Sequence, residues 1–119
     1  MNVLIVESCQ DLAAIWRRHL ERQGMSVALA TGQTDAVRYL SEHETDIIVL
    51  NLVLEYGSAL AVSDFANYRR PEARVIFVTN TTFFSDGSIF NHSSNACAFL
   101  PATTAPEDLA AMVEHYAAS

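Results

Sequence analysis

DIIVLN, residues 46–51, carries four consecutive aliphatic side chains between two polar ones. Such runs, rich in β-branched residues and without polar alternation, are typical of strands buried on both faces of a parallel sheet. Two further stretches share this pattern and also end at polar residues: VLIVES at residues 3–8 and RVIFVT at residues 74–79. The sequence therefore predicts three central strands whose carboxyl ends carry polar side chains, namely Glu7, Ser8, Asn51 and Thr79.

Helical patterns alternate with strand patterns along the rest of the chain. Weaker strand patterns lie at residues 25–30 and 96–100, and apolar side chains at helical spacing occupy residues 12–20, 31–43 and 59–66. This alternation predicts an α/β fold with a five-stranded parallel sheet, right-handed crossovers and helices on both faces of the sheet.

Local signals mark where the helices start and stop. We expect Ser8 to cap the first helix, which Gly24 ends, and Thr104 with Glu107 to form a capping box at the start of the last helix. The connection before the fifth strand is rich in poor helix formers, so only a brief fourth helix is predicted there, at residues 87–95.

Composition excludes several classes of protein. A chain of 119 residues with a formal charge of −7 forms one domain and repels nucleic acids and anionic lipids. The first residues, MNVLIV, lack the basic start of a signal peptide, and no apolar run approaches the roughly 18 residues of a membrane span. We therefore expect a cytoplasmic protein without direct nucleic-acid or membrane contact. Cys9 and Cys97 lack metal or redox spacing, so buried free thiols are the simplest expectation.

The strand segments resemble the receiver domain of bacterial two-component response regulators. The similarity spans essentially all 119 residues and is most specific in four stretches: LIVES at residues 4–8, DIIVLNLVL at 46–54, VIFVT at 75–79 and AFLPATT at 98–104. The resemblance implies one receiver-like domain over residues 1–119 with a flavodoxin-like (βα)5 fold, here with a weak fourth helix.

The resemblance also implies a phosphorylation pocket, and this chain departs from it at three places. Family members hold a divalent cation such as Mg²⁺ with two acidic residues and a phospho-accepting Asp, which correspond here to Glu7, Ser8 and Asn51. Ala102 replaces the Lys that pairs with the phosphoryl group, whereas Thr79 retains the family's Ser/Thr. Because an acyl phosphate needs a carboxylate nucleophile, we expect no phosphorylation at Asn51 and weak or lost Mg²⁺ binding, hence no cofactor.

Structural roles are expected for the remaining polar groups of this degenerate pocket. Glu7 is predicted to be a hydrogen-bonded carboxylate, Ser8 a helix cap, and Thr79 a hydrogen-bonding partner within the pocket, for example of Asn51. No histidine lies in the strand-end segments, so a Ser-His-Asp arrangement has no evident base and no enzyme is expected.

Four aromatic residues mark a candidate partner face. Phe83, Phe84 and Phe90 lie in or beside a polar segment, and Phe99 aligns with the family's switch aromatic, on a surface where receivers dimerise or meet targets. Burial in the core is an equally open interpretation of these side chains. The functional prediction is a phosphorylation-independent receiver that acts through a protein partner or homodimer. The alternative is a small-molecule or anion sensor that uses the vacated pocket.

Overall fold

A five-stranded parallel sheet forms the centre of the computed structural model, which describes residues 1–79 and 96–118. The strands are β1 (Asn2–Val6), β2 (Ser26–Ala30), β3 (Ile47–Asn51), β4 (Arg74–Thr79) and β5 (Ala96–Pro101), in the order β2-β1-β3-β4-β5. The helices are α1 (Gln10–Arg22), α2 (Gln33–Glu42), α3 (Ala59–Arg69) and α4 (Pro106–Ala118). The predicted α/β class and parallel five-stranded sheet are confirmed. The brief helix predicted at residues 87–95 lies outside the described residues.

The sheet separates two apolar cores. Because side chains alternate between the faces of a strand, Val3 and Ile5 of β1 pack with α1 and α4, whereas Leu4 and Val6 pack with α2 and α3. The aliphatic runs are buried because both faces of the central strands are covered. In the described part of the chain, no helix is long and apolar enough to cross a membrane.

Strand order determines which strand ends become neighbours. The chain leaves β1 for β2 on one side and returns to β3 on the other, so β1 and β3 pair directly, from Val3 with Ile47 to Val6 with Leu50. The carboxyl ends of two strands whose connections run in opposite directions form the usual ligand crevice of such sheets. Glu7 and Asn51 stand at this position.

The predicted cap of the first helix is wrong. α1 begins at Gln10, and its N-cap residue is Cys9, whose side chain makes no capping hydrogen bond. Ser8 does not cap the helix because its hydroxyl is engaged with two other loops, as described below. The end of the helix is as predicted, since Gly24 follows it with a φ of 86°, a conformation that favours glycine.

The predicted capping box at the last helix is also wrong. α4 begins at Pro106, two residues beyond Thr104, and the Thr104 hydroxyl donates to the carbonyl of Pro101 at 2.6 Å. Proline suits the first position of a helix because its φ is preset and its missing N–H would have no partner there. The Thr104 hydroxyl closes the preceding turn instead of capping α4.

Candidate functional site

Glu7 and Asn51 form a direct link between the ends of β1 and β3. The Glu7 carboxylate is only 4 % exposed. One of its oxygens accepts a hydrogen bond from the side-chain amide nitrogen of Asn51 at 2.5 Å, and the other accepts from the backbone N–H of Cys9 at 3.0 Å. Both carboxylate oxygens therefore have donors, which offsets the cost of burying the charge.

The side-chain oxygen of Asn51 is also hydrogen-bonded. It accepts a hydrogen bond from the backbone N–H of Val53 at 2.9 Å. These two contacts determine the orientation of the amide, with its NH2 group towards Glu7 and its oxygen towards the following loop. A carboxylate at residue 51 would keep the contact with Val53 but would have no proton to donate to Glu7.

Ser8 connects three loops through one hydroxyl group. Its Oγ donates to the carbonyl of Thr31 at 2.9 Å, in the loop between β2 and α2. The same Oγ accepts from the backbone N–H of Glu55 at 2.9 Å, in the loop between β3 and α3. The hydroxyl therefore works as donor and acceptor at once, which a carboxylate in the same place could not do.

A second set of contacts holds the β3–α3 loop, and sequence reasoning did not identify its residues. The backbone N–H of Gln33 donates to the carbonyl of Tyr56 at 3.0 Å, and the Gln33 side-chain oxygen accepts from the backbone N–H of Ser58 at 2.9 Å. The loops approach so closely that a Cβ added to Gly32 would lie 2.6 Å from the Tyr56 carbonyl oxygen. The glycines at 32 and 57 were the available signal, because glycine allows close backbone approach and, at Gly57, a φ of 94°.

Thr79 and Ala102 meet through their backbones at the neighbouring strand ends. Thr79 is buried, and its carbonyl accepts from the N–H of Ala102 at 2.7 Å. Ala102, which the resemblance aligns with the family's Lys, therefore lies beside Thr79 and offers only a methyl group. Glu7, Ser8 and Asn51 share an open cavity of about 350 Å³, whose other lining residues are Cys9, Val53, Leu54 and Glu55.

The candidate partner face is described only at Phe99. This half-buried side chain packs with the α2–α3 core, and its ring centroid lies 6.3 Å from that of Phe77. Phe83, Phe84 and Phe90 lie outside the described residues.

The charge at the strand ends is too low for a typical cation site. Hard cations such as Mg²⁺ prefer several oxygen ligands, carboxylates above all. Glu7 supplies the one carboxylate among the strand-end residues Glu7, Ser8 and Asn51. Across residues 1–79 and 96–118, no group of three or more His, Cys, Asp or Glu side chains is placed to hold a metal ion. The arrangement therefore joins strands and loops through hydrogen bonds.

The chain matches a family model in sequence and several solved structures in fold. Residues 3–114 match the family model described as the response regulator receiver domain. No curated protein shows a significant match to the chain. A CheY-like receiver domain protein from Methanospirillum hungatei is 17% identical with a TM-score of 0.89, over 98% of this chain and 93% of that one. The non-phosphorylated HemR receiver domain from Leptospira biflexa is 18% identical with a TM-score of 0.87, over 99% and 94% of the two chains.

A third similar structure contains a phosphorylated residue. It is a Burkholderia pseudomallei response regulator solved with a phosphorylated aspartic acid, a calcium ion and citrate. This protein is 20% identical with a TM-score of 0.79, over 96% of this chain and 71% of that one. At such identities, the comparison shows a shared fold.

Proposed function

The chain belongs to the response regulator receiver domain family, and on that premise we propose that it is a receiver whose signalling state is set by contact with a protein partner or a second copy, independently of phosphorylation. The observation that carries this proposal is the amide of Asn51 at the end of β3. An amide is not a nucleophile that forms an acyl phosphate, and both ends of this one are occupied by Glu7 and Val53.

The surroundings of Asn51 support the same proposal. Phosphoryl transfer depends on positioning and on neutralising the charge of the transferred group, usually with a metal ion and a cationic side chain. Here Ser8 uses its hydroxyl to join Thr31 and Glu55, and Ala102 has no charge to offer. Rebuilding phosphorylation would thus require at least three side-chain changes.

A receiver without phosphorylation needs another source of bias between its conformations. A ligand shifts a conformational equilibrium only by binding one state better than another. We propose that a protein partner or a second copy does so at the surface around Phe99, with Phe83, Phe84 and Phe90 as further candidates. For the homodimer version, light scattering after size-exclusion chromatography over a range of concentrations gives the test, and a strict monomer at high concentration would remove that version.

The phosphorylation half of the proposal is tested with small phosphodonors. The protein is treated with Mg²⁺ and acetyl phosphate, or with Mg²⁺ and beryllofluoride, and examined by amide NMR spectra and intact mass. We expect no change in the unmodified chain, and a response in a variant combining Ser8→Asp, Asn51→Asp and Ala102→Lys. A variant with only Ser8→Asp and Ala102→Lys is the matched control, because it regains charge but has no carboxylate nucleophile at residue 51.

Two results of the phosphodonor experiment would contradict the proposal. A phosphoryl group mapped to the end of β3 in the unmodified chain would overturn the proposal. Phosphorylation of the double control variant at a residue that it shares with the unmodified chain would also contradict it, because an acceptor other than residue 51 would then be available.

The alternative proposal, a small-molecule or anion sensor, rests on the open cavity of about 350 Å³ beside Glu7 and Asn51. One contact weakens it: the backbone N–H of Cys9 at the start of α1, which could attract an anion, already bonds the Glu7 carboxylate. Amide NMR spectra of the isotopically labelled protein, recorded with a metabolite panel, discriminate between the two proposals. Saturable binding with shifts at Ser8, Asn51 and Thr79 would favour the sensor. We propose no enzymatic activity for either version.

A further inference from the structure

The loop between β3 and α3, residues 52–58, is hydrogen-bonded to the β1–α1 loop and to the first residue of α2. Its backbone N–H groups at Glu55 and Ser58 donate to the side chains of Ser8 and Gln33, and its carbonyl at Tyr56 accepts from Gln33. The bonded backbone groups lie in the second half of the loop, at residues 55, 56 and 58. These hydrogen bonds hold the loop backbone in place before a partner binds. The conformational entropy lost on binding is therefore smaller.

Apolar side chains point outward from this fastened loop. Leu52 and Leu54 pack against the α2–α3 core, whereas Val53 is 58 % exposed and Tyr56 is 67 % exposed. Large apolar side chains this exposed are uncommon on the described surface, and two of them occur within one short loop. Tyrosine combines a large apolar ring with a hydroxyl and is enriched at the centres of protein interfaces.

Two exposed carboxylates lie beside these apolar groups. Glu55 lies between Val53 and Tyr56 in the loop, and Asp35 lines a small cavity together with Tyr56. Asp11 lies in the first turn of α1, whereas the Glu7 carboxylate is buried and hydrogen-bonded.

No cation of the described chain offsets this charge locally. All seven basic residues of the chain are arginines, and none lies in the three loops or in the first turns of α1, α2 and α3. They occupy the second half of α1, the middle of α2, and the segment from the end of α3 to the start of β4: Arg17, Arg18, Arg22, Arg38, Arg69, Arg70 and Arg74. The loop edge of the sheet is thus apolar at its centre and anionic around it.

From this combination we infer that Val53 and Tyr56, with Asp35 and Glu55 beside them, form a docking ledge for a protein segment that carries Arg or Lys next to apolar side chains. Apolar contact with Val53 and Tyr56 supplies affinity, while the carboxylates select and steer a cationic partner. A second copy is the poorer occupant, because paired ledges would oppose like charges. The inference rests on the proposed function in that it concerns a protein partner, and it gives that partner a chemistry and a second contact surface besides the one around Phe99.

The test uses a synthetic peptide of alternating arginine and leucine, titrated into the isotopically labelled full chain without any phosphodonor. Two peptides serve as controls, one with glutamate in place of arginine and one with serine in place of leucine. We expect amide shifts concentrated at residues 31–35 and 53–58, and at least about tenfold weaker binding of both control peptides, equivalent to about 1.4 kcal/mol.

Protein variants locate the interaction. The double variant Val53→Ser, Tyr56→Ser should weaken binding about tenfold, since it removes both exposed apolar groups without touching the loop backbone. Asp35→Asn with Glu55→Gln should weaken binding at low salt and reduce its salt dependence. Tyr68→Ser is the matched control, because Tyr68 is 81 % exposed on α3, outside the ledge, and its loss should leave the affinity unchanged. Dispersed amide spectra verify that each variant is folded.

Three results would overturn the inference: shifts centred elsewhere on the protein, unchanged affinity of the Val53→Ser, Tyr56→Ser variant, or equal binding of the arginine–serine peptide. Any of them would leave the phosphodonor experiment untouched. Conversely, phosphorylation of the unmodified chain would defeat the proposed function without altering the peptide result, so the two failures are distinguishable.

Discussion

The side-chain amide of Asn51 joins two strands because its nitrogen donates to Glu7 while its oxygen accepts from the backbone of Val53. An aspartate has the same shape but no donor, so it would place a second negative charge against a carboxylate that is 4 % exposed. Two facing carboxylates repel each other strongly where water is excluded.

We therefore expect Asn51→Asp to lower the free energy of unfolding by about 2 kcal/mol at neutral pH without divalent cations, the usual effect of removing a hydrogen bond to a buried charge. Added Mg²⁺ should restore part of this loss, because an ion that binds only the native state stabilises it. Urea denaturation with and without Mg²⁺ measures both effects. Asn67→Asp, the same change on the exposed face of α3, is the control and should have little effect. Equal stability of Asn51→Asp and the unmodified chain would contradict this account.

The two cysteines should differ in reactivity. Burial raises the pKa of the Cys97 thiol above its ordinary value of 9.0, an effect only partly opposed by the nearby positive charge of Arg74. Cys9 is exposed. Because the thiolate is the reactive form, alkylation near pH 8 should proceed in a fast phase from Cys9 and a slow phase from Cys97. Cys9→Ser should abolish the fast phase, and a fast phase that survives this change would refute the assignment.

The raised pKa of Cys97 also sets the sign of a pH effect on stability. A group whose pKa is higher in the folded than in the unfolded state contributes stability at pH values below its unfolded pKa. This contribution is lost as the pH rises through the folded pKa. Stability should thus fall above pH 9 in the unmodified chain. The difference in stability between the unmodified chain and Cys97→Ala should shrink across the same range.

Residue-level sequence reasoning identified which side chains stand at the strand ends but not all of their partners. Glu7, Ser8 and Asn51 follow from the ends of the aliphatic runs. The partners of Ser8 do not, because a carbonyl at Thr31 and an N–H at Glu55 are backbone groups, which every residue possesses. Only the relative placement of three loops reveals them.

Among the secondary-structure elements, strands were predicted more reliably than helix starts. An aliphatic run such as residues 47–50 has few alternatives to a buried strand, whereas a capping side chain works only if the chain enters the helix at that residue. Ser8 and Thr104 have suitable side chains, but the helices begin later, at Gln10 and Pro106. In both places, the hydroxyl found a backbone partner outside the helix.

The helix starts differ in a way that stability measurements can detect. Cys9 makes no capping bond at α1, whereas Ser58 caps α3 by accepting from the N–H of Ala61 at 3.3 Å. Cys9→Ser should raise the free energy of unfolding by about 0.5–1 kcal/mol, and Ser58→Ala should lower it by about 1 kcal/mol. Urea denaturation of the two variants provides the measurement. A loss of stability in Cys9→Ser would show that the α1 start cannot use a cap.

At the scale of the whole molecule, the fold followed from the repeated alternation of strands and helices, and the docking ledge did not. The alternation is a local pattern that recurs along the chain. The ledge, in contrast, joins Asp35 of α2 with Val53 and Tyr56 of the β3–α3 loop, which come together only through the strand order. Its charge is also invisible in the total composition, because the seven arginines are counted regardless of where they lie.

The net charge of −7 should make stability depend on salt. Repulsion among unbalanced carboxylates disfavours the compact state. Raising the ionic strength from about 0.01 M to about 0.15 M shortens the screening length from about 30 Å to about 8 Å. The melting temperature at pH 7 should therefore rise by a few degrees. Near pH 4.8, where the net charge vanishes, the rise should disappear. A melting temperature that falls with salt at pH 7 would contradict this expectation.

The bond between Asn51 and Glu7 has a kinetic consequence, since its partners lie 44 positions apart along the chain. We expect it to form late in folding, because β3 must first pair with β1 across the segment that contains β2 and α2. Interactions made late on the folding pathway slow unfolding far more than they accelerate folding. The hydrogen bond between Asn51 and Glu7 should therefore slow unfolding. Its removal should raise the unfolding rate constant and leave the refolding rate constant nearly unchanged.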